Sequence, residues 1–563
     1  MKYNKFELSA KEKIVGYILN SEGRKYYGEL ELHPNKFPIF SLESSDIEYS
    51  KLFLKDICSE KIIFKSNTKT FLLCDNEIEH SQIYSRFLIK SEGTDILNTE
   101  FKEIGVYNEF FSQMFYEYEV EYSRKNYTFS RKVDFYSFET SIDFNGKSIT
   151  LYNCYNQSTV NKDGKVIIEE YPTINIKSNS GNFNLTEIEN LIHDISLLFT
   201  FLVGLPIIPE LVWVLENKTW LGFYFPRIEP SKKIEYSRLF SLIDIKKLLK
   251  ENSFTDIIHN YFHHKKYSVF KDKWSKIYSL LDYNGIWDYE FIGFVSLLDH
   301  HVSNFASKNR PKRSISKNYF KKLKTKLNDI IEKEPLESEE IKKVLRDQIN
   351  SLKISSLGTF NENFEFLLNS VDKNLIDIID LSKEDFKVIK KLRDDIAHSN
   401  TINYEEIDYT KINILKNKIT ILLFYFILLD LGIKHDAFLE SMANSYNQII
   451  RNSNLNELLL DRLSKKFPFI KITDSEFKKI KENKLSLVIL ELKKKYKLNF
   501  EYSVSAYDNW NISSGPENYD LRKVIQKMYH EDAQVEFCSI GYVETDDMQS
   551  QIKIDYLCLI SIK

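Results

Sequence analysis

The chain predicts a multidomain α+β fold: a β-rich N-terminal domain, a mainly helical connector, an all-α bundle and a small C-terminal α+β domain. Three observations carry that prediction. The 563 residues are too many for one hydrophobic core, so several domains are expected. The apolar pattern shifts along the chain, from alternation early on to three- and four-residue spacing after residue 286. Aromatic side chains, 34 Tyr and 40 Phe, are abundant and suit pleated surfaces.

Residues 1–180 read as the β-rich domain. "SIDFNGKSITLY" (141–152) sets alternating segments on either side of Asn145-Gly146, a strong hairpin signal, and Asp163-Gly164 precedes another strand pattern. Gly146-Lys147-Ser148 is no phosphate-binding loop, because Ser141 stands where that motif needs its first glycine. Residues 181–285 form the connector. "NLTEIENLIHDISLLFTFLVG" opens on an Asn/Thr cap, "VWVLENKTWLGFYF" (212–225) reads as a hairpin, and "FTDIIHNYFHHKKYSVFKDKWSKIYSLL" returns to helix. Residues 286–435 keep helical spacing almost throughout and form the bundle. In residues 436–563 a helical segment precedes "AQVEFCSIGYV" and "QIKIDYLCLISIK", which alternate around a polar turn and read as antiparallel strands.

Composition narrows the function. A net charge of −3 argues against a protein that coats nucleic acid, so any such contact needs a local patch. The five cysteines (Cys58, Cys74, Cys154, Cys538, Cys558) form no CxxC pair, which argues against a disulfide framework or zinc ribbon and fits a cytoplasmic protein. The start "MKYNKFELSAKEK" is polar where a signal peptide needs an apolar run. The stretch 195–215 is broken by Pro206, Pro209 and Glu210, and 419–433 has eleven uncharged residues between Lys418 and Asp430. Both are expected to be buried helices, with no membrane contact.

The candidate site lies in "KKLRDDIAHSN" (390–400). Ser382 can cap a helix from Lys383, Asp385 completes a capping box, and Phe386, Ile389, Leu392 and Ile396 form an apolar stripe. Arg393 and His398 stand about 140° apart on an ideal helix, yet arginine is long enough to swing toward the histidine. Asp394, four residues before His398, is spaced to hydrogen-bond the imidazole and set its tautomer. Reaction at a phosphodiester needs one group to move protons and another to stabilise phosphate charge. The same spacing also fits a plain helix-end histidine and a solvated arginine.

"KNRPKRSISKNYFKKLKTK" (308–326) holds nine Lys or Arg and no acid, so Arg310, Lys312, Arg313, Lys317, Lys321 and Lys322 are candidate RNA-phosphate contacts. A solvated face is the bland alternative. Tyr319 and Phe320 fit base stacking or the core. His259 and His263 have i,i+4 zinc spacing without the glutamate of HExxH, and neither a metal site nor a cofactor is expected. Asp299, His300 and His301 diverge by about 100° per residue on their helix, so only some can face the motif.

"RDDIAH" (393–398), in the penultimate long helix of a bundle, resembles the HEPN superfamily motif: Arg393, a polar residue, three variable residues and His398. Asp394 stands where Asn is frequent. The layout from the β-rich segment through "LTEIENLIHDISLLFTFLVG" resembles ApeA-type abortive-infection proteins of bacteria, over residues 1–435; the C-terminal segment departs from that pattern. The resemblance implies a metal-independent endoribonuclease of antiphage defence. In such enzymes Arg and His act at the cleft of a two-domain dimer and the RNA's own 2′-OH attacks. It implies an RNA substrate such as tRNA, a homodimer or higher even oligomer, and a phage-derived trigger. The alternatives are a non-catalytic HEPN module that binds RNA, nucleotide or a protein partner, and a structural bundle whose flanking domains do the work.

Overall fold

The computed structural model of the protein describes residues 11–19, 24–33, 36–43, 61–79, 82–91, 98–123, 128–162, 165–226, 237–283, 285–311, 317–335, 338–352, 358–398, 408–512, 521–529, 533–548 and 550–562. The turn at Asp163-Gly164 lies outside them. The chain divides into two compact units, Met1–Ser441 with Ser445–Asn454, and Met442–Asn444 with Leu455–Lys563. It is a mixed α+β protein, β-rich at its N-terminal end and helical beyond.

The first unit opens with β1 (Glu12–Leu19), β2 (Lys25–His33), β3 (Lys36–Leu42), β4 (Lys61–Lys65), β5 (Thr70–Glu79) and β6 (Gln82–Ser91). These six strands close on themselves in antiparallel pairs: β6 pairs β3, then β2, β1, β4 and β5 follow, and β5 returns to β6. Closure leaves no free edge and encloses a core of Ile18, Leu30, Phe40, Phe64, Phe71 and Leu73. Gly16 and Gly28 face each other across β1 and β2. A Cβ on Gly16 would lie 2.5 Å from the Phe64 ring, and one on Gly28 2.6 Å from the Phe40 ring. Bare backbone at these two positions lets both rings lie on the strands.

The sheet continues with β7 (Glu103–Tyr107), helix α1 (Glu109–Phe115), the paired β8 (Tyr116–Ser123) and β9 (Thr128–Phe135), then β10 (Glu139–Phe144), β11 (Lys147–Lys162) and β12 (Lys165–Ser178). Asn145 (φ 52°) and Gly146 (φ 77°) turn β10 into β11, so the Asn-Gly hairpin is present. After α2 (Leu185–Val203) come β13 (Leu211–Glu216) and β14 (Thr219–Tyr224). This hairpin, expected within the connector, joins the N-terminal sheet: β13 pairs β7 and β14 pairs β6. Local pattern shows a hairpin but not its neighbours, which lie about a hundred residues upstream.

Helix α2 begins at an Asn184–Glu187 capping box and stops at left-handed Gly204, whose N–H bonds Thr200 O. Its Phe199 packs on Phe111 and Phe115 of α1 and on Phe254, tying the sheet to the helices. Next follow α3 (Ile245–Lys250), α4 (Phe254–Phe262), α5 (His264–Ser268), a π-helical segment (Val269–Trp274) and α6 (Ser275–Leu281). The long helix expected here is broken at His263, which is extended (φ −62°, ψ 125°).

The bundle comprises α7 (Trp287–Asn309), α8 (Lys317–Lys333), α9 (Glu339–Ser351), α10 (Phe360–Leu368), α11 (Lys373–Ile379), α12 (Lys383–Ala397) and α13 (Tyr409–Asp430), followed by α14 (His435–Asn444) and α15 (Gln448–Arg451). α6, α10, α12 and α13 all pack on α7. α13 is longer than its apolar run implied: at 22 residues it is long and apolar enough to cross a membrane, and 78% of its most apolar window is buried inside the fold. Here it serves as the core helix of the bundle.

The second unit contains α16 (Glu457–Ser464), β15 (Phe469–Ile472), α17 (Asp474–Glu482), β16 (Leu487–Leu492), β17 (Tyr496–Leu498), α18 (Phe500–Ile512), α19 (Leu521–Met528), β18 (Ala533–Cys538), β19 (Gly541–Thr545), β20 (Gln551–Ile554) and β21 (Tyr556–Ile562). β18 and β21 are antiparallel, as are β19 and β20, while β15–β19 and β16–β21 are parallel. Two apolar clusters are built on this framework, one around Val488 and Leu557, the other around Ile489 and Ile560. Alternation along β16 and β21 therefore serves both.

Candidate active site

α12 forms because its start is locked and its stripe is buried. Ser382 Oγ accepts from Asp385 N (3.0 Å) and Asp385 Oδ2 accepts from Ser382 N (3.2 Å). Phe386 stacks on Phe364 (4.3 Å between centroids) and packs on Phe360 (5.0 Å), and Ile389 is fully buried. Burial of Asp385 works to raise its carboxyl, but hydrogen bonds from Ser382 and the nearby Lys411 outweigh it and hold the group below the usual carboxylate range.

The last turn carries the motif. Arg393 Nη2 donates to Asp299 Oδ2 of α7 at 2.6 Å, and its Nη1 lies 3.6 Å from Asp394 Oδ1. Its guanidinium sits over the Phe360 ring, 5.2 Å from the centroid. Arginine carries five donors, so a held Arg393 still has N–H groups to offer a phosphate. His398 is the C-cap residue: its backbone N–H bonds Asp394 O, and its side chain is exposed. Among the described residues its imidazole has no hydrogen-bond or ion-pair partner. The Asp394 carboxylate lies toward Arg393, and no hydrogen bond joins it to His398 among the described residues.

Of the three neighbours on α7, Asp299 faces the motif and the next two do not. His301 is packed between Trp274 (5.3 Å) and Phe426 (4.2 Å). Its Nδ1 accepts from the Lys273 ammonium, and its Nε2 is buried without a partner. Burial, with Lys273, His300 and Lys308 adding to it, lowers the imidazole to about 3, so it is neutral at physiological pH. Burial likewise lowers Lys273 to about 8; Asp430 opposes the shift and Lys308 adds to it.

The basic run is distributed. Arg310 caps α7 at its C-terminal end, where Nη1 donates to Asn363 Oδ1 (3.3 Å) and the guanidinium lies 5.9 Å from the Phe366 centroid. Eleven residues separate it from Asp299, about 16 Å along the helix. Lys321 and Lys322 are exposed on α8, Lys317 is its first residue, and Lys312 and Arg313 lie outside the described residues. Tyr319 is exposed.

His259 and His263 do not form a zinc pair. α4 ends before His263, and His259 Nε2 is engaged by Thr140 Oγ1 at 2.7 Å. Among the described residues no three His, Cys, Asp or Glu side chains group as metal ligands. Sequence reasoning missed the aromatic seat of Arg393 at Phe360. An aromatic opening α10, two helices before the motif helix, was its only trace.

Residues 292–437 match the family model described as Apea-like HEPN. The bundle is an HEPN domain resembling those of ApeA-type proteins. Neither the curated proteins nor the solved structures yield a match.

Proposed function

We propose that the protein is a metal-independent endoribonuclease effector of bacterial antiphage defence, acting in the cytoplasm. The observation that carries this reading is the pair Arg393 and His398 at the end of α12, inside the segment that matches the Apea-like HEPN model. In the proposed reaction the His398 imidazole takes the proton of an RNA 2′-OH. The 2′-oxygen bonds to the adjacent phosphorus, and the bond from phosphorus to the 5′-oxygen breaks. A protonated imidazole returns a proton to the leaving 5′-oxygen, leaving a 2′,3′-cyclic phosphate and a 5′-OH. Arg393 holds the non-bridging oxygens with its free donors, steadied by Asp299 and Phe360. Asp394 acts beside Arg393 rather than on the imidazole.

Arg310, Lys317, Lys321 and Lys322, with Lys312 and Arg313, supply phosphate contacts for the RNA, tRNA among its candidates. The active unit is a homodimer or a higher even assembly, with two α12 ends sharing one cleft. The β-rich region restrains the nuclease or senses a phage-derived trigger. Incubating the purified chain with RNA in EDTA and mapping the ends tests the chemistry. Cyclic phosphate and 5′-OH ends are expected; strict need for a divalent metal, or 5′-phosphate ends, rejects it. One observation favours a second reading, a non-catalytic HEPN module binding RNA, nucleotide or a protein partner: carboxylates already flank Arg393. RNA binding without cleavage in the same assay would select it.

A further inference from the structure

A second face of α7 borders a cavity of about 470 Å³, walled by the π-helical segment, α6 and the first half of α7. Leu280 and Leu297 line it with Tyr283, and Lys273, Lys276 and His300 supply its basic groups. The cavity residues on α7 are Gly293, Ser296, Leu297 and His300, about a third of a turn around the helix from Asp299. This is a different site from the end of α12, and nothing about it depends on RNA cleavage.

Three features mark it as built to take an anion. The first is the backbone. Lys273 lies in a π-helical turn, a costly irregularity that re-aims side chains and is frequent at functional sites. Gly293, in the middle of α7, forgoes about 1 kcal/mol of helix propensity relative to Ala. A Cβ there would lie 2.3 Å from Leu280 Cδ2, so the glycine lets Leu280 lie against α7 where the two helices meet.

The second is a missing counter-charge. The Lys273 side chain is half-buried, its ammonium 3.8 Å from the Trp274 ring centroid, and it donates to the neutral His301. Among the described residues neither Lys273 nor Lys276 has an ion-pair partner. The nearby carboxylate of Asp430 accepts instead from Trp274 Nε1 at 2.8 Å. Asp272, exposed, is the carboxylate on the cavity wall, opposed there by two lysines and a histidine. Burial of an ammonium that no carboxylate pairs directly is costly, and it lowers Lys273 to about 8 even though the nearby Asp430 opposes the shift. A bound dianion would remove that cost.

The third is the wall. His300 Nε2 accepts from Asn304 Nδ2 (2.9 Å), which leaves Nδ1–H as a donor. The hydroxyls of Ser279 and Ser296 and the Tyr283 ring complete a lining with polar and apolar parts, in the size range of small-ligand pockets.

We propose that this cavity binds a small phosphate monoester, its phosphate held by Lys273, Lys276 and His300 and its organic part against Leu280, Leu297 and Tyr283. Isothermal titration of the full chain at pH 8, with AMP and with inorganic phosphate as probes, tests it. AMP should bind saturably, one per chain. Lys276→Gln, an exposed change that leaves the packing alone, should weaken binding at least tenfold, as should Lys273→Met. His398→Ala should bind like the wild type, which separates this site from the RNA site. Binding should take up protons, read as a dependence of the heat on the buffer's ionisation enthalpy, and Lys273→Met should abolish that uptake. Tenfold tighter binding of AMP than of inorganic phosphate supports an ester ligand. Equal affinity rejects the ester. Failure of the wild type to bind either probe, or undiminished affinity in Lys276→Gln, overturns the site.

Discussion

His301 and His398 belong to the same helical bundle, and their surroundings are opposite. His301 lies between Trp274 and Phe426, takes a hydrogen bond from Lys273 and is kept neutral by burial. His398 closes α12 with its ring exposed and without a side-chain partner among the described residues. The difference teaches that residue type names the candidates and environment distributes the work. A buried imidazole with one nitrogen occupied and the other sealed off has no route for a proton. An exposed one at a helix end has a route.

The largest effect that sharpens the contrast is expected at Arg393. Arg393→Ala should lower RNA cleavage by roughly 100-fold or more, in line with losing a donor to developing phosphate charge. Arg393→Lys should do nearly as badly, because an ammonium cannot reproduce a planar guanidinium that spans Asp299 and a phosphate. Rates for the Lys variant close to wild type, measured on a labelled RNA, would reduce Arg393 to a simple positive charge.

The buried side of the contrast is read by acid. His301 titrates at about 3 in the fold against 6.5 for the ordinary group. Between those values the unfolded chain binds a proton that the folded chain refuses, so stability falls as pH falls through that window. From pH 6.5 down to 4 this one group should cost about 3 kcal/mol. Urea unfolding of wild type and His301→Phe at both pH values isolates it, since the carboxylates common to both chains cancel. An identical pH dependence in the two would mean that His301 is not sealed as described.

A smaller effect is expected at Asp299, which positions Arg393. Asp299→Asn should lower cleavage about tenfold while costing no more than about 1 kcal/mol of stability, because the ion pair is partly exposed. A changed rate with unchanged RNA affinity distinguishes positioning from a purely structural role. The smallest effect is at the start of α12. Ser382→Ala removes one half of the capping box and should destabilise the bundle by about 1 kcal/mol, seen as a lower thermal midpoint.

Legibility in the sequence followed the range of each interaction. The Ser382–Asp385 box, the Asn145-Gly146 turn and the stripe from Phe386 to Ile389 were readable because each depends on residues within a few positions. The six-strand ring was not, since β5 closes on β6 locally while β1 reaches β4 across forty residues. The insertion of β13 and β14 between β7 and β6 was hidden for the same reason. At the candidate site, spacing singled out Arg393 and His398 and paired Asp394 with the imidazole, whereas the Asp394 carboxylate lies toward Arg393. Asp299 and Phe360 come from 94 and 33 positions upstream of Arg393, and only the packing of α7 and α10 on α12 brings them there. The π-helical turn that aims Lys273 was invisible because its residues keep an ordinary helical pattern.

The proposal that the exposed end of α12 does chemistry is tested most directly by sequencing RNA ends from cells producing either wild type or His398→Ala, with both proteins shown to be equally folded. The wild type should generate discrete new ends bearing 2′,3′-cyclic phosphate and 5′-OH, and His398→Ala should generate none above background. The same ends at the same frequency from the folded variant would contradict a catalytic His398 and leave the bundle as a binding module.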